Sequence, residues 1–257
     1  MNGNSKHPRV FIVHTSFVSV HDLTALFRKL GPHITVHHIV DDSLLDEVLA
    51  NGGVTAGVKQ RMRQYFRAAA AAGADLIFSQ CSSVGEAADF ATRVVRVPVV
   101  KIDSAMAEHA CRIGGKIGVV ATLETTLGPT CRLVAATARQ HHASVKIVRC
   151  LVKGAFDVLQ RGDRARHNRM VLQAIRRLAK QVDVIICAQG SMIAILPELG
   201  PTPIPVLTSP ELGVRKAVDA LGHLNVEPRN ARHSSTRTFQ RSSAFPARPR
   251  FLSSKSG

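Results

Sequence analysis

The 257-residue chain is 45% hydrophobic but only 4% aromatic, enough Ala, Val, Leu and Ile for one large or two small α/β domains. Its five cysteines are odd in number and form no CxxC, and no apolar run is long enough for a secretory core or a membrane span, so a reduced cytoplasmic protein without a membrane partner is expected. The net charge of +16 does not mark a specific nucleic-acid site: part lies in a tail (Arg229, Arg232, Arg237, Arg241, Arg248, Arg250 and Lys255 against Glu227), and the rest is spread over helix faces, leaving a general attraction for small anions.

In chain order, residues 1–8 are polar and expected to be mobile. The short apolar run 10–13 predicts a buried strand ending at His14, Thr15 and Ser16. Residues 21–30 have helical spacing and stop at Gly31-Pro32; 34–40 predicts a strand, 41–51 a short helical or irregular segment, and 55–72 a long helix closed by Gly73. The stretch DLIFSQCSSVGE (75–86) predicts a buried strand running into Cys81, Ser82, Ser83 and Gly85, with a helix over 86–93 behind it. At the carboxyl end of a parallel strand, ligands bind, and free backbone N–H groups beside a helix start favour thiolate. Cys81 therefore reads as the reactive atom, against the alternative of a merely buried thiol. A strand over 97–102 and a helix from Ser104 to position 113 complete this half.

After Gly114-Gly115 the pattern begins again: strand 116–120, helix 126–141, strand 145–150, helix 164–180, strand 183–187 ending at Ala188-Gln189-Gly190-Ser191, strand 205–207 and a last helix over 209–221. The halves align, ADLIFSQCSS (74–83) over VDVIICAQGS (182–191) and VPVVKIDSA (97–105) over IPVLTSPEL (204–212). The expected fold class is α/β: two similar pseudo-symmetric lobes, 9–114 and 115–221, each a mainly parallel sheet flanked by helices. The site lies in the cleft between the lobes, and the last helix of each half is free to pack on the other lobe. Residues 222–257, rich in Ser, Arg and Pro without apolar period, are expected to be a disordered basic tail.

The repeat, the post-strand DLIFSQC and the strand-turn IGVVATLETT (117–126) resemble the aspartate/glutamate racemase superfamily, which includes hydantoin racemases, maleate isomerase and arylmalonate decarboxylase. The resemblance implies one cysteine after the third strand of each lobe, six residues beyond an acid; Cys81 stands so to Asp75, but Gln189 occupies that place relative to Asp183. Where hydantoin racemases have cysteine, alanine, glycine, methionine, this chain has Gln189-Gly190-Ser191-Met192, and Cys187 falls two residues short of the mouth. Thr122 and Thr125 match the family's T-x-x-T, which holds a substrate carboxylate; His14, Thr15 and Ser16 fall where members bind substrate after the first strand. The family needs no metal, flavin or pyridoxal group.

A carbon acid beside a carboxylate needs donors to its oxygens and a base near its carbon. Thr15, Ser16, Ser82, Ser83, Thr122, Thr125, Gly190 and Ser191 are the candidate binding residues, although Ser and Thr also favour such places as helix caps. Cys81 is the candidate proton carrier; Gln189 cannot exchange protons and would orient substrate through its amide. Glu86 reads as a first-turn helix acid, Lys101 as an exposed strand end, and Lys153 as a weak anion contact. Histidine pairs such as His37-His38 lack partners at metal spacing, and no Gly-rich phosphate loop occurs. The expectation is a cofactor-independent racemase or isomerase acting on a small carboxylate such as an amino acid. The alternatives are a single-cysteine decarboxylase or maleate-isomerase-like enzyme, and a non-catalytic two-lobed binder of a small acid; homo-oligomerisation is left open.

Overall fold

The computed structural model describes residues 7–226. Its strands form two separate four-stranded parallel sheets. The first has the order β2-β1-β3-β4, with β1 Arg9–His14, β2 Thr35–Val40, β3 Leu76–Ser79 and β4 Val99–Lys101. The second has the order β6-β5-β7-β8, with β5 Lys116–Ala121, β6 Lys146–Leu151, β7 Val184–Cys187 and β8 Val206–Thr208. All four residues of β3 and of β7 are buried, as expected of inner strands covered on both faces, whereas edge strands β2 and β6 keep exposed positions.

The repeat is visible in the ladders. Val13 of β1 pairs with Ser79 and Val120 of β5 with Cys187; Ser79 then pairs with Lys101, and Cys187 with Thr208. The same clamp closes the foot of each lobe. Asp75 accepts from the Arg9 N–H at 2.8 Å, and Asp183 accepts from the Lys116 N–H at 2.7 Å. Two aspartates at matching places therefore set the register of the strands that lead to the two mouths.

The helices are α1 Val18–Leu30, α2 Ser43–Asn51, α3 Ala56–Ala71, α4 Gly85–Thr92 and α5 Ser104–Ile113 in the first half, then α6 Glu124–Gln140, α7 Ala155–Gln160, α8 Arg164–Leu178, α9 Leu196–Leu199 and α10 Ser209–Val226. Helix α3 starts where the Thr55 side chain accepts from the Val58 N–H. Helix α1 begins three residues before the predicted 21–30, and short α7 was not expected, since one or two turns carry too little apolar period to be read.

The break at Gly114-Gly115 divides the strands between the sheets, but the helices cross it. Met106, Ala107, Ala110 and Cys111 of α5 pack into the second core with Ile117, Val119, Val184 and Ile186. In return Val214, Ala217 and Leu221 of α10 pack with Val10, Ile12, Leu76 and Phe78 of the first sheet. Gly213 makes that docking close, since a Cβ there would stand 2.4 Å from the Ile102 carbonyl oxygen. Helix α10 runs on to Val226, past the expected start of the tail at 222, because Leu221 anchors its last turns on the first core. The rest of the expected tail, 227–257, and residues 1–6 lie outside the described residues.

Candidate active site

The mouth of each lobe is a turn at the end of an inner strand. In the first lobe, β3 ends at Ser79 and Gln80 still donates its N–H to the Val13 carbonyl, so Cys81 is the first residue clear of the sheet. It has φ −117° and ψ 123° and leads into a 3₁₀ turn over Ser82–Val84. In the second lobe Ala188 donates to the Val120 carbonyl, and Gln189, at φ −114° and ψ 131°, leads into a 3₁₀ turn over Gly190–Ile195. Strand register, foot clamps and backbone angles thus give Cys81 and Gln189 equivalent positions. Cys187 matches Ser79 instead. It is fully buried among the apolar side chains of the second core, and that burial pushes its thiol up to about 12. Cys81 is only partly buried.

Gln189 is not a loose amide. Its Oε1 accepts from the Thr122 N–H at 2.7 Å and from the Thr122 hydroxyl at 3.0 Å. A backbone N–H can only donate, so the amide orientation follows: Nε2 is the donor left over, and among the described residues it donates to nothing. Thr122, expected to grip a carboxylate directly, thus has both its donors engaged and acts on the site through Gln189. Its partner in the T-x-x-T, Thr125, keeps a buried hydroxyl without a hydrogen-bond partner.

The turn after Cys81 ties the lobes together. Ser83, buried, shares a 2.9 Å hydrogen bond with Thr126 in the first turn of α6. Contacts therefore run from the Cys81 turn through Ser83 to α6, and from Thr122, just ahead of α6, to Gln189. Ser82 is buried beside the Asp103 carboxyl. Thr15 is buried at the end of β1, and Ser16 accepts from the Val18 N–H at 3.3 Å just ahead of α1. Gly190 and Ser191 open the turn after Gln189.

His14 departs from its expected role. The side chain has no exposed surface, and both ring nitrogens are engaged, Nδ1 with the Ser19 hydroxyl at 3.0 Å and Nε2 with His38 Nδ1 at 2.9 Å. Thr24 donates its hydroxyl hydrogen to the Val20 carbonyl, so it accepts from His38 Nε2–H. Network logic then assigns His14 Nε2–H as donor to His38 and Ser19 as donor to His14, with both imidazoles neutral. Burial, and then the neighbouring His38, lower the His14 pKa to about 4; burial, and then His37, lower that of His38. The ring is a brace behind the mouth with no nitrogen for a ligand.

Sequence reading passed over several residues that the fold brings here. Asp103, just beyond β4, is buried; desolvation raises its pKa against the lowering influence of the Ser82 hydroxyl and the charge of Lys101. Thr126 bridges the lobes, and Ser19, Thr24 and His38 complete the histidine brace. The signal available for Asp103 was its place after a strand in the aligned VPVVKIDSA. Nothing local in sequence marked the others. Lys101 is paired with Asp89 at 2.8 Å, and Glu86 with Arg132 of the opposite lobe at 2.5 Å, which accounts for both charges as ion pairs. Lys153 is exposed on the turn beyond β6. Among the described residues no three His, Cys, Asp or Glu side chains gather as metal ligands, and no helix is long and apolar enough to cross a membrane.

Two pseudo-symmetric parallel α/β lobes, with a thiol at the end of one inner strand and a latched amide at the matching place in the other, define a protein of the two-lobed racemase fold. The family model described as Asp/Glu/Hydantoin racemase matches residues 10–217, and the chain belongs to that family. It is accordingly an enzyme of the isomerase class, of racemase type. Among solved structures it is similar to a glutamate racemase from Bacillus anthracis (17% identity, 86% of this chain and 84% of that chain, TM-score 0.62). It is also similar to an allantoin racemase from Klebsiella pneumoniae (17% identity, 85% and 89%, TM-score 0.62) and to an aspartate racemase from Picrophilus torridus (13% identity, 84% and 94%, TM-score 0.65). At these identities the likeness speaks for the fold. Among curated proteins no sequence match is found.

Proposed function

We propose that the protein acts on a small carboxylate, such as an amino acid, by cofactor-independent proton transfer at the carbon beside the carboxylate, with Cys81 as the thiol acid/base. The observation that carries this reading is the equivalence of Cys81 and Gln189: one strand end offers a group that exchanges protons, the other a fixed donor. Deprotonation moves charge onto the carboxylate, and the reading assigns the Gln189 Nε2, the unpartnered Thr125 hydroxyl and the amides of the two turns as the donors that receive it. The Cys81 thiolate takes the proton and the thiol returns it.

Because Gln189 cannot return a proton from the opposite face, a second reading has specific support: one-sided chemistry of the decarboxylase or maleate-isomerase kind. In decarboxylation the C–C bond to one carboxylate breaks, carbon dioxide leaves, and the electron pair left as an enediolate takes the Cys81 proton. Incubating the protein with amino acids, hydantoins, maleate and malonates in D₂O, followed by NMR, separates the readings. Deuterium at a retained α-carbon, lost in Cys81→Ala, supports the first; carbon dioxide release or cis–trans conversion with the same dependence supports the second. Turnover that survives Cys81→Ala undiminished overturns both.

A further inference from the structure

Beside the Cys81 turn lies a cavity of about 360 Å³ between α4 of the first lobe and α6 of the second. Asp103 and Ser82 close its inner end, and both are more than nine-tenths buried. Its sides are the two ion pairs, Lys101–Asp89 within the first lobe and Arg132–Glu86 across the lobes. Pro129, Leu133 and Ala136 give it an apolar strip along α6, and exposed Arg139 stands farther along the same helix. Cys81, Thr122 and Gln189 do not line it.

The lining decides the chemistry of the ligand. Four of the six charges already neutralise one another, so a lone anion or cation of appreciable charge would compete with an existing pair. Two are left: a buried carboxyl, which has no cation within ion-pair distance, and the Arg139 guanidinium, which has no carboxylate partner among the described residues. A molecule carrying one charge of each sign and an aliphatic body complements both and covers the apolar strip. Burial raises the Asp103 pKa, and a ligand ammonium beside it would act in the opposite direction.

We propose that this cavity is a second binding site, for a free aliphatic α-amino acid, with its ammonium on Asp103, its carboxylate at Arg139 and its side chain along Leu133 and Ala136. Because the site spans both lobes and Ser82 adjoins Cys81, the occupant holds the lobes in one relative position and steadies the reactive turn. The assignment does not depend on which acid is turned over at Cys81.

Isothermal titration of the full chain with L-leucine tests it, alongside 3-methylbutylamine and 4-methylpentanoate, which each keep one of leucine's two charges. Leucine is expected to bind the wild type, with each single-charge analogue weaker by about tenfold or more. Ala136→Trp, at an exposed position that leaves folding intact, should abolish binding; Asp103→Asn and Arg139→Ala should each weaken it about tenfold. Gln189→Ala should leave it unchanged. Absence of leucine binding, equal binding of either analogue, or binding that survives Ala136→Trp but fails in Gln189→Ala overturns the proposal, the last by placing leucine in the cleft at the strand ends.

Discussion

The two mouths of this molecule are the same backbone carrying different chemistry. Cys81 and Gln189 share register, dihedral angles and a following 3₁₀ turn, yet one bears a thiol and the other an amide whose oxygen is bound twice by Thr122. The cysteine nearest that mouth in sequence, Cys187, sits two residues earlier, inside the strand, where it is buried in the core. A shift of two residues along a strand moves a side chain by roughly 7 Å and from the mouth to the interior. Duplicated backbone therefore does not imply duplicated function. On the proposed mechanism, the chemistry falls to whichever residue stands first beyond the last ladder hydrogen bond.

The sharpest way to break the comparison is to remove each thiol in turn. Cys81→Ala is expected to lower turnover by at least about a hundredfold, the usual contribution of a positioned acid/base. Cys187→Ala should keep turnover within a few-fold and lose about 1 kcal/mol of stability through the small cavity it leaves, read from thermal melts. Equal damage from both would show that the lobes are not divided in this way.

Restoring the symmetry should sharpen it. In Gln189→Cys a second thiol takes the place of the amide, and solvent deuterium should enter product from the second face roughly tenfold faster than in the wild type. NMR of product formed in D₂O reads this directly. Entry from one face alone in both proteins would mean that position 189 does not reach the reacting carbon.

The histidine brace belongs to the first mouth only, since Ala121 stands where His14 does in the other lobe. Its folded pKa of about 4 lies below the unfolded value of 6.5, so between these values the unfolded chain binds the extra proton. The neutral brace is favoured above pH 6.5, and its contribution is lost progressively as pH falls toward 4. Between pH 7 and pH 5 this amounts to about 2 kcal/mol. Melting curves of wild type and His14→Gln should differ in pH slope over that window, and parallel slopes would show that His14 is not buried neutral.

The smallest expected effect is at the join. Ser83→Ala removes the hydrogen bond to Thr126 and leaves a buried hydroxyl unsatisfied, costing roughly 1–2 kcal/mol in denaturant unfolding. The Arg132–Glu86 pair across the same join is half-exposed, and Arg132→Ala should cost less than about 1 kcal/mol.

Much of this was legible in sequence because it is local or repeated. The apolar runs before Cys81 and Gln189, the aspartate six residues ahead of each, and the paired VPVV and IPVL strands are periodic signals read within a dozen residues, and the strand registers match their alignment. The exchange of α5 and α10 between lobes was left open, because an amphipathic helix declares that it has a buried face without saying against what. The family resemblance nominated His14 and Thr122 as ligand contacts, but what each side chain touches was invisible: Ser19 and His38 for one, Gln189 for the other, 67 residues away. Asp103 was marked only by its place after a strand, because its burial comes from packing at the join.

The sequence by itself determined the lobes, their parallel strands and the residue standing at each strand end, since these follow from side-chain periodicity and from repetition along one chain. Only the tertiary structure decided which donors are already spent, which histidine is walled in, and which carboxyl lines a cavity between the lobes. Those are properties of side chains brought together from distant positions, and hydrogen-bond capacity and solvent access are settled only when the partners meet.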